Sequence, residues 1–135
     1  MARLRFRQLA HTADLRLSIW GDTEEDLIRN AVAGVTRLAL GNGTTAHARV
    51  WERIEPWDTD LAWQLVKTAN EAVFHLFVRG MRAVDFRTTP AGPELGLAPL
   101  PSGRFPEMEI KAITFHDLHP WRENGGLRAV LTLDV

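Results

Sequence analysis

Leu15, Leu17 and Ile19 alternate with Arg16 and Ser18, a period of two that predicts a half-buried strand. Phe6 to Leu9 reads as a short strand ahead of it, and His11-Thr12-Ala13-Asp14 is a polar break between the two. By parity, Asp14 falls on the side of Arg16 and Ser18, away from the core face. Gly21-Asp22 marks a turn, and the period then changes. Leu27, Ile28, Ala31, Val35 and Leu38 recur every three or four residues, the apolar stripe of a helix. Thr23 with Asp26 resembles a capping box, and Glu24, Glu25 and Asp26 put negative charge where the helix dipole favours it. Gly41-Asn42-Gly43 ends the helix, with Gly41 or Asn42 suited to a left-handed cap.

The pattern from Ala46 to Glu55 is a strand. Pro56-Trp57-Asp58 opens a second helix with Asp58 as its N-cap, and Leu61, Leu65, Ala69, Ala72 or Val73, and Leu76 form its stripe. Gly80 stops it, and Ala83 to Arg87 is a further strand. Thr89 to Pro106 holds five of the seven prolines and reads as loop or irregular edge, with a short strand near Leu95-Leu97 at most.

Glu107 to Leu118 reads as a strand with Met108, Ile110 and Ala112 on one face and Glu107, Glu109 and Lys111 on the other. Ile113 and Phe115 have the parity of Lys111, so that face becomes buried further along or a bulge intervenes. Pro120 to Gly126 is a turn, with Asn124-Gly125 its strongest signal. Leu127, Ala129, Leu131 and Leu133 form the inner row of a final strand, leaving Arg128, Val130, Thr132 and Asp134 facing out. The last two strands make a hairpin that puts position 111 opposite 134, within a few residues. Lys111 and Asp134 then share the outer face. The expected fold class is α+β: one domain over residues 1–135, with two helices packed on a mainly antiparallel β-sheet as a single pair of layers.

Composition changes this picture only by exclusion. A net charge of -1 argues against a broad nucleic-acid footprint, and no direct nucleic-acid contact is expected. With no cysteine, disulfides, thiolate zinc sites and thiol catalysis are excluded. No apolar leader and no run of membrane-spanning length is seen, so a cytoplasmic protein is expected. The GxSxG, P-loop, GxGxxG and HExxH patterns are absent.

What remains is a pair of strand-end acids. Asp14 and Asp134 brought together would bind a hard cation through oxygen, Ca²⁺ foremost, with Mg²⁺ or Mn²⁺ as alternatives. Val135 adds a backbone carbonyl or terminal carboxylate oxygen. Lys111 would stand beside them as a point charge for phosphate or a partner's acid. The plain alternative is two solvated acids and a surface ion pair. His11, His47, His75, His116 and His119 share no ligand spacing; all but His11 read as ordinary surface or satisfied histidines, with His75 on the flank of the second helix, whereas His11 adjoins Asp14 and could order that turn through its ring nitrogens. The five tryptophans are too scattered for a stacking platform.

The residues resemble those of the archease family. His11-Thr12-Ala13-Asp14 with the following strand and Gly21-Asp22-Thr23-Glu24-Glu25 is similar to the family's opening. Asp60-Leu61 with Ala69-Asn70-Glu71 resembles its second helix, and Glu109 to His116 its Lys-Ala strand. Leu131 to Val135 resembles its terminal strand. The chain departs from the family in lacking a His shortly before the Lys-Ala strand, and in Thr68-Ala69 where Trp-Leu is usual.

The resemblance implies an activator rather than an enzyme: an accessory factor of an RtcB-type RNA ligase. It would promote guanylylation of the ligase and multiple turnover in tRNA splicing or RNA repair. The family's metal-site acids map onto Asp14 and Asp134, with oxygen from Val135, and its functional lysine maps onto Lys111. A stand-alone divalent-metal-dependent hydrolase of a small phosphate ester is the alternative, and a holdase-like binding module a third reading.

Overall fold

The structure, a computed structural model, describes residues 5–9, 15–41 and 46–135. The elements run β1 (Phe6–Leu9), β2 (Leu15–Gly21), α1 (Glu24–Leu40), β3 (Val50–Arg53), α2 (Leu61–Arg79), β4 (Met81–Thr89), β5 (Gly92–Pro99), β6 (Ala112–Thr114), β7 (Trp121–Glu123) and β8 (Gly126–Asp134). The fold is α+β, and every strand pairing is antiparallel. The strands divide between two sheets rather than forming the single expected one. The larger runs β1-β2-β8-β6, with β7 also on β8, and the smaller runs β3-β5-β4.

The alternation in β2 and β8 does what it predicts. Leu17, Ile19, Ala129, Leu131 and Leu133 are sealed in the core, each large side chain contributing about 2 kcal/mol by leaving water. Ser18 and Thr132, expected on the solvent face, are buried as well. Both are small residues on interior strands of the sheet. Helix α1 packs on β2 and β4, and so closes one core beneath both sheets, while α2 packs on α1, β4 and β6.

Both helices start and stop where local chemistry directs. The Thr23 hydroxyl accepts the Asp26 N–H at 3.1 Å, the expected cap of α1. At its far end Gly41 has a φ of 79° and donates its N–H to the Arg37 carbonyl. The cap of α2 is Asp60, not Asp58. Asp60 Oδ2 accepts the Trp63 N–H at 2.9 Å, whereas Asp58 orders the preceding turn by accepting the Asp60 N–H. Gly80, left-handed at φ 66° and ψ 28°, ends α2 as expected.

Further expectations are corrected. The strand from Ala46 to Glu55 shrinks to Val50–Arg53, and that from Glu107 to Leu118 to Ala112–Thr114. The proline-rich stretch holds a full strand, β5, at the centre of the small sheet. Its prolines are tolerated because they flank the Glu94 to Leu97 stretch that pairs with β3, and Pro93 meets that side only through its carbonyl, which accepts the Ile54 N–H at 3.0 Å. Pro120–Gly126 is not all turn. Trp121–Glu123 pairs back on β8 around Asn124-Gly125, both with positive φ, as a tight hairpin turn demands.

His75 is buried at 6% exposure rather than lying on the flank of α2. Arg79 Nη1 lies 3.1 Å from His75 Nδ1 and also meets Glu52 Oε2 at 2.8 Å. A guanidinium only donates, so Nδ1 accepts and the ring proton sits on Nε2, 3.9 Å from Glu71 Oε2. Burial pushes the His75 pKa below its ordinary 6.5, with the Arg79 charge acting the same way and Glu52 and Glu71 opposing. The unfolded chain therefore takes up this proton first as pH falls. The stability contributed by neutral His75 is present in full above 6.5 and is lost as pH drops toward the depressed native value. Melting temperature should fall through this window more steeply in the native protein than in His75→Gln. Parallel thermal-melt profiles of the two proteins against pH would contradict the assignment.

Candidate functional site

The site is built on the edge of the large sheet where β8 ends. Asp134 is the last residue of β8 and exposed, and Val135 beyond it is half exposed. Strand β6 lies alongside, with Ala112 paired to Asp134, Ile113 to Leu133 and Thr114 to Thr132. The Lys111 N–H donates to the Asp134 carbonyl at 2.8 Å. The expected neighbourhood of positions 111 and 134 is thus met to within one residue.

That one residue matters. Ala112, not Lys111, sits opposite Asp134, so Ala112 shares its face and Lys111 takes the parity of the buried Ile113. The expectation that Lys111 and Asp134 share an outer face is corrected. Lys111 lines a groove against α2, with Glu109, Asn70, Phe74 and Val78. Asp134 lines a shallow cleft with Thr114, His116 and Thr132. Two faces of one sheet edge carry the two groups, joined by a single backbone hydrogen bond.

The other end of β2 brings the N-terminal half to the same edge. Its pairing with β8 runs from Gly21↔Leu127 to Leu15↔Leu133, one position short of Asp134. Asp14 itself lies outside the described residues, as do His11, Thr12 and Ala13. Among the described residues, no group of three or more His, Asp and Glu side chains is gathered to hold a metal.

Asn70, noted in the sequence only as part of a helix motif, proves to hold β6 in place. Its Nδ2 donates to the Ile113 carbonyl at 3.0 Å, and its Oδ1 accepts the Ile113 N–H at 2.8 Å. The side-chain amide thereby substitutes for a neighbouring strand, satisfying two backbone groups of a buried residue. His116, read as an ordinary histidine, joins Asp134 in its cleft. Its carbonyl accepts the Thr132 hydroxyl at 3.2 Å, and its ring faces Asp117 at 3.2 Å. Register gave no signal for it: the antiparallel ladder runs away from Asp134 after Thr114, and His116 reaches the cleft from the turn that follows β6.

The groove at Lys111 continues along α2. Phe74 and Asn70 line both it and a second groove with Trp63, Val66, Lys67, Glu71 and Phe115. Phe74, Val78 and Phe115 are 48%, 69% and 55% exposed, a concentration of large apolar side chains in water. The Lys67 ammonium is held by Glu71 at 3.0 Å in the same groove.

Comparison with known proteins agrees with this architecture. The model of the archease protein family (MTH1598/TM1083) matches residues 6–135. A protein of Mycobacterium tuberculosis named a probable protein archease is 30% identical over 135 residues, spanning 96% of this chain and 74% of the relative. The solution structure of Methanobacterium thermoautotrophicum protein 1598 superposes with a TM-score of 0.70 at 22% identity, over 98% of this chain and 100% of that one. A crystal structure of a Thermotoga maritima archease, described as a possible chaperone, superposes at 0.65 and 19% identity over the whole of both chains. Fold and sheet edge together define a small two-sheet α+β domain with a carboxylate at the end of its last strand. The chain belongs to the archease family.

Replacing Asn70 by Ala should cost about 2–4 kcal/mol, because both backbone groups of Ile113 lose their partner at once. Urea denaturation measures it directly. A loss below about 0.5 kcal/mol would show that the amide does not hold the strand.

Proposed function

We propose that the protein works on another enzyme: it is an accessory factor of an RtcB-type RNA ligase, promoting guanylylation of the ligase and its repeated turnover in tRNA splicing or RNA repair. The observation that carries this reading is membership of the archease family across residues 6–135. The β2–β8 register supports it, because the described pairing stops at Leu15↔Leu133. Asp14 is bonded to Leu15 and Asp134 to Leu133, so the two acids named from the sequence flank one residue pair.

The donor chemistry fits a hard divalent cation, Ca²⁺ foremost. Asp134 offers an exposed carboxylate and Val135 further main-chain oxygen, and Asp14 would complete the set. Such an ion supplies positive charge for screening phosphate oxygens. Lys111 adds a second positive charge one residue away on the other face. The exposed apolar groove beside Lys111 suits a protein partner, since large aromatic side chains in water are what interfaces bury. The description of the Thermotoga maritima protein as a possible chaperone points the same way, to action on other proteins. The work is cytoplasmic on this reading, and no described helix is long and apolar enough to cross a membrane.

The test is guanylylation of the cognate ligase at substoichiometric protein. The native protein should raise the rate, and Asp14→Asn, Lys111→Ala and Asp134→Asn should each lose at least tenfold of that gain while keeping the native melting temperature. Equal rates with and without the protein would sink the proposal. Calorimetric titration with CaCl₂ should give a binding heat that Asp134→Asn abolishes.

A further inference from the structure

Helix α1 covers one face of the large sheet, where Gly34 packs against Leu17 and Phe6. The opposite face is made by the alternate positions of the same strands. Across the pairing, Trp20 of β2 stands beside Arg128 of β8, and Arg128 beside Trp121 of β7. Two tryptophans far apart in the chain thus share one row. They stand two strand spacings apart, about 10 Å, with an arginine between them. The Arg128 guanidinium lies over the Trp20 ring at 5.1 Å and is held by Glu123 at 2.7 Å. Trp121 is 41% exposed.

The next rows of this face are basic. Arg7 of β1 pairs with Ser18, and Arg16 of β2 pairs with Thr132. Arg7 is exposed and Arg16 partly so. The stems of Arg16 and Arg128 lie close enough to the sheet that Nε of each is closed to water, which keeps both side chains on the face. Elsewhere arginines are committed to acids: Arg29 to Asp26 and Asp85, Arg79 to Glu52 and Arg87 to Glu94. Among the described residues, Arg7 and Arg16 have no acid partner. A net charge of -1 predicts no broad electrostatic footprint, and this one is local.

Aromatic rings with guanidinium groups beside them are what single-stranded nucleic acid uses. A base of any identity can stack on an indole ring or on a guanidinium plane, and neighbouring cations take the phosphates. A duplex buries its base faces against one another and has no use for Trp121. An acidic peptide would engage the arginines and leave the rings idle.

We infer that this face binds a short stretch of single-stranded RNA, with one base on Trp121, the next on the Arg128–Trp20 stack, and phosphates on Arg7 and Arg16. Stacking and charge are properties of the face itself; the choice of RNA over DNA rests on the ligase reading. After Thr132 the next residue of β8 on this face is Asp134, so a strand lying along it leads to the candidate site.

Fluorescence anisotropy of a short labelled oligouridylate tests this on the full chain, with no ligase present, so its failure leaves the guanylylation assay untouched. The RNA should bind, and its affinity should fall as salt rises. Trp121→Ala should weaken binding about tenfold. Arg7→Gln and Arg16→Gln should each weaken it and lower the salt slope by about one. Arg53→Gln, an exposed arginine of the small sheet, should leave binding unchanged. A loss there as large as in Arg7→Gln would show unspecific charge attraction and overturn the inference. Duplex RNA should bind at least tenfold more weakly, and equal binding overturns the stacking assignment. RNA should bind at least as tightly as the matching oligodeoxythymidylate, and tighter binding of the DNA overturns the choice of RNA. Tighter binding of an oligoglutamate would mark a surface for acidic protein instead. No anisotropy change at millimolar protein would also overturn the inference. Should Arg16→Gln fail to fold, the exposed Trp121→Ala and Arg7→Gln decide the matter: native affinity in both overturns the site.

Discussion

Everything at the functional edge hangs on the pairing of β2 with β8. Seven consecutive residue pairs join a strand near the start of the chain to the strand at its end. A contact between such distant segments is entropically costly to close, and it is repaid by burial. Leu17 and Ile19 on one strand and Leu131 and Leu133 on the other are wholly inside, and α1 seals them. Because side chains alternate with a period of two, slipping this pairing by one residue would turn the whole apolar row to water. The register is therefore held by the entire core rather than by any residue at the sheet edge. An exposed group such as Asp134 can be specified by chemistry alone, since its position costs nothing extra.

The same period of two separates Lys111 from Asp134. Strand β6 is only three residues long and cannot fix its own position by ladder bonds. Asn70 does so from the side, converting a helix surface into a surrogate strand for Ile113. The consequence is a lysine that faces α2 and an acid that faces away, tied through the Lys111 N–H and the Asp134 carbonyl.

Legibility followed periodicity. Both helices, their glycine stops and the inner row of β8 were visible in the sequence because each rests on a local repeat that the core enforces. The neighbourhood of Lys111 and Asp134 was visible too, through the hairpin count, but its exact register was not. The intervening chain folds into Trp121–Glu123 and a turn, which no count of loop residues anticipates. Strand β5 was hidden by its prolines, whose missing N–H costs little at the ends of the β3 ladder, where Pro93 takes part only through its carbonyl. Asn70 was hidden for a different reason. An Asn on a helix has no periodic signature, and its role exists only once β6 lies beside it. The acids and the lysine were singled out by strand-end parity and by resemblance to the archease family, and Asp14 rests on those alone.

The openness of the site bears on how it can act. Asp134, His116 and Lys111 all stand in water, and their clefts are shallow. Exposed charges interact weakly across high-dielectric solvent, and an open cleft does not exclude water from a reacting centre. The same charges grow several-fold stronger when a second surface covers them. On the ligase reading, the partner would supply that cover, and this chain would present the charges to it from the end of a strand. The apolar groove of Phe74, Val78 and Phe115 then has a physical part to play, since burying it would offset the cost of desolvating Lys111 and Asp134 at the same contact.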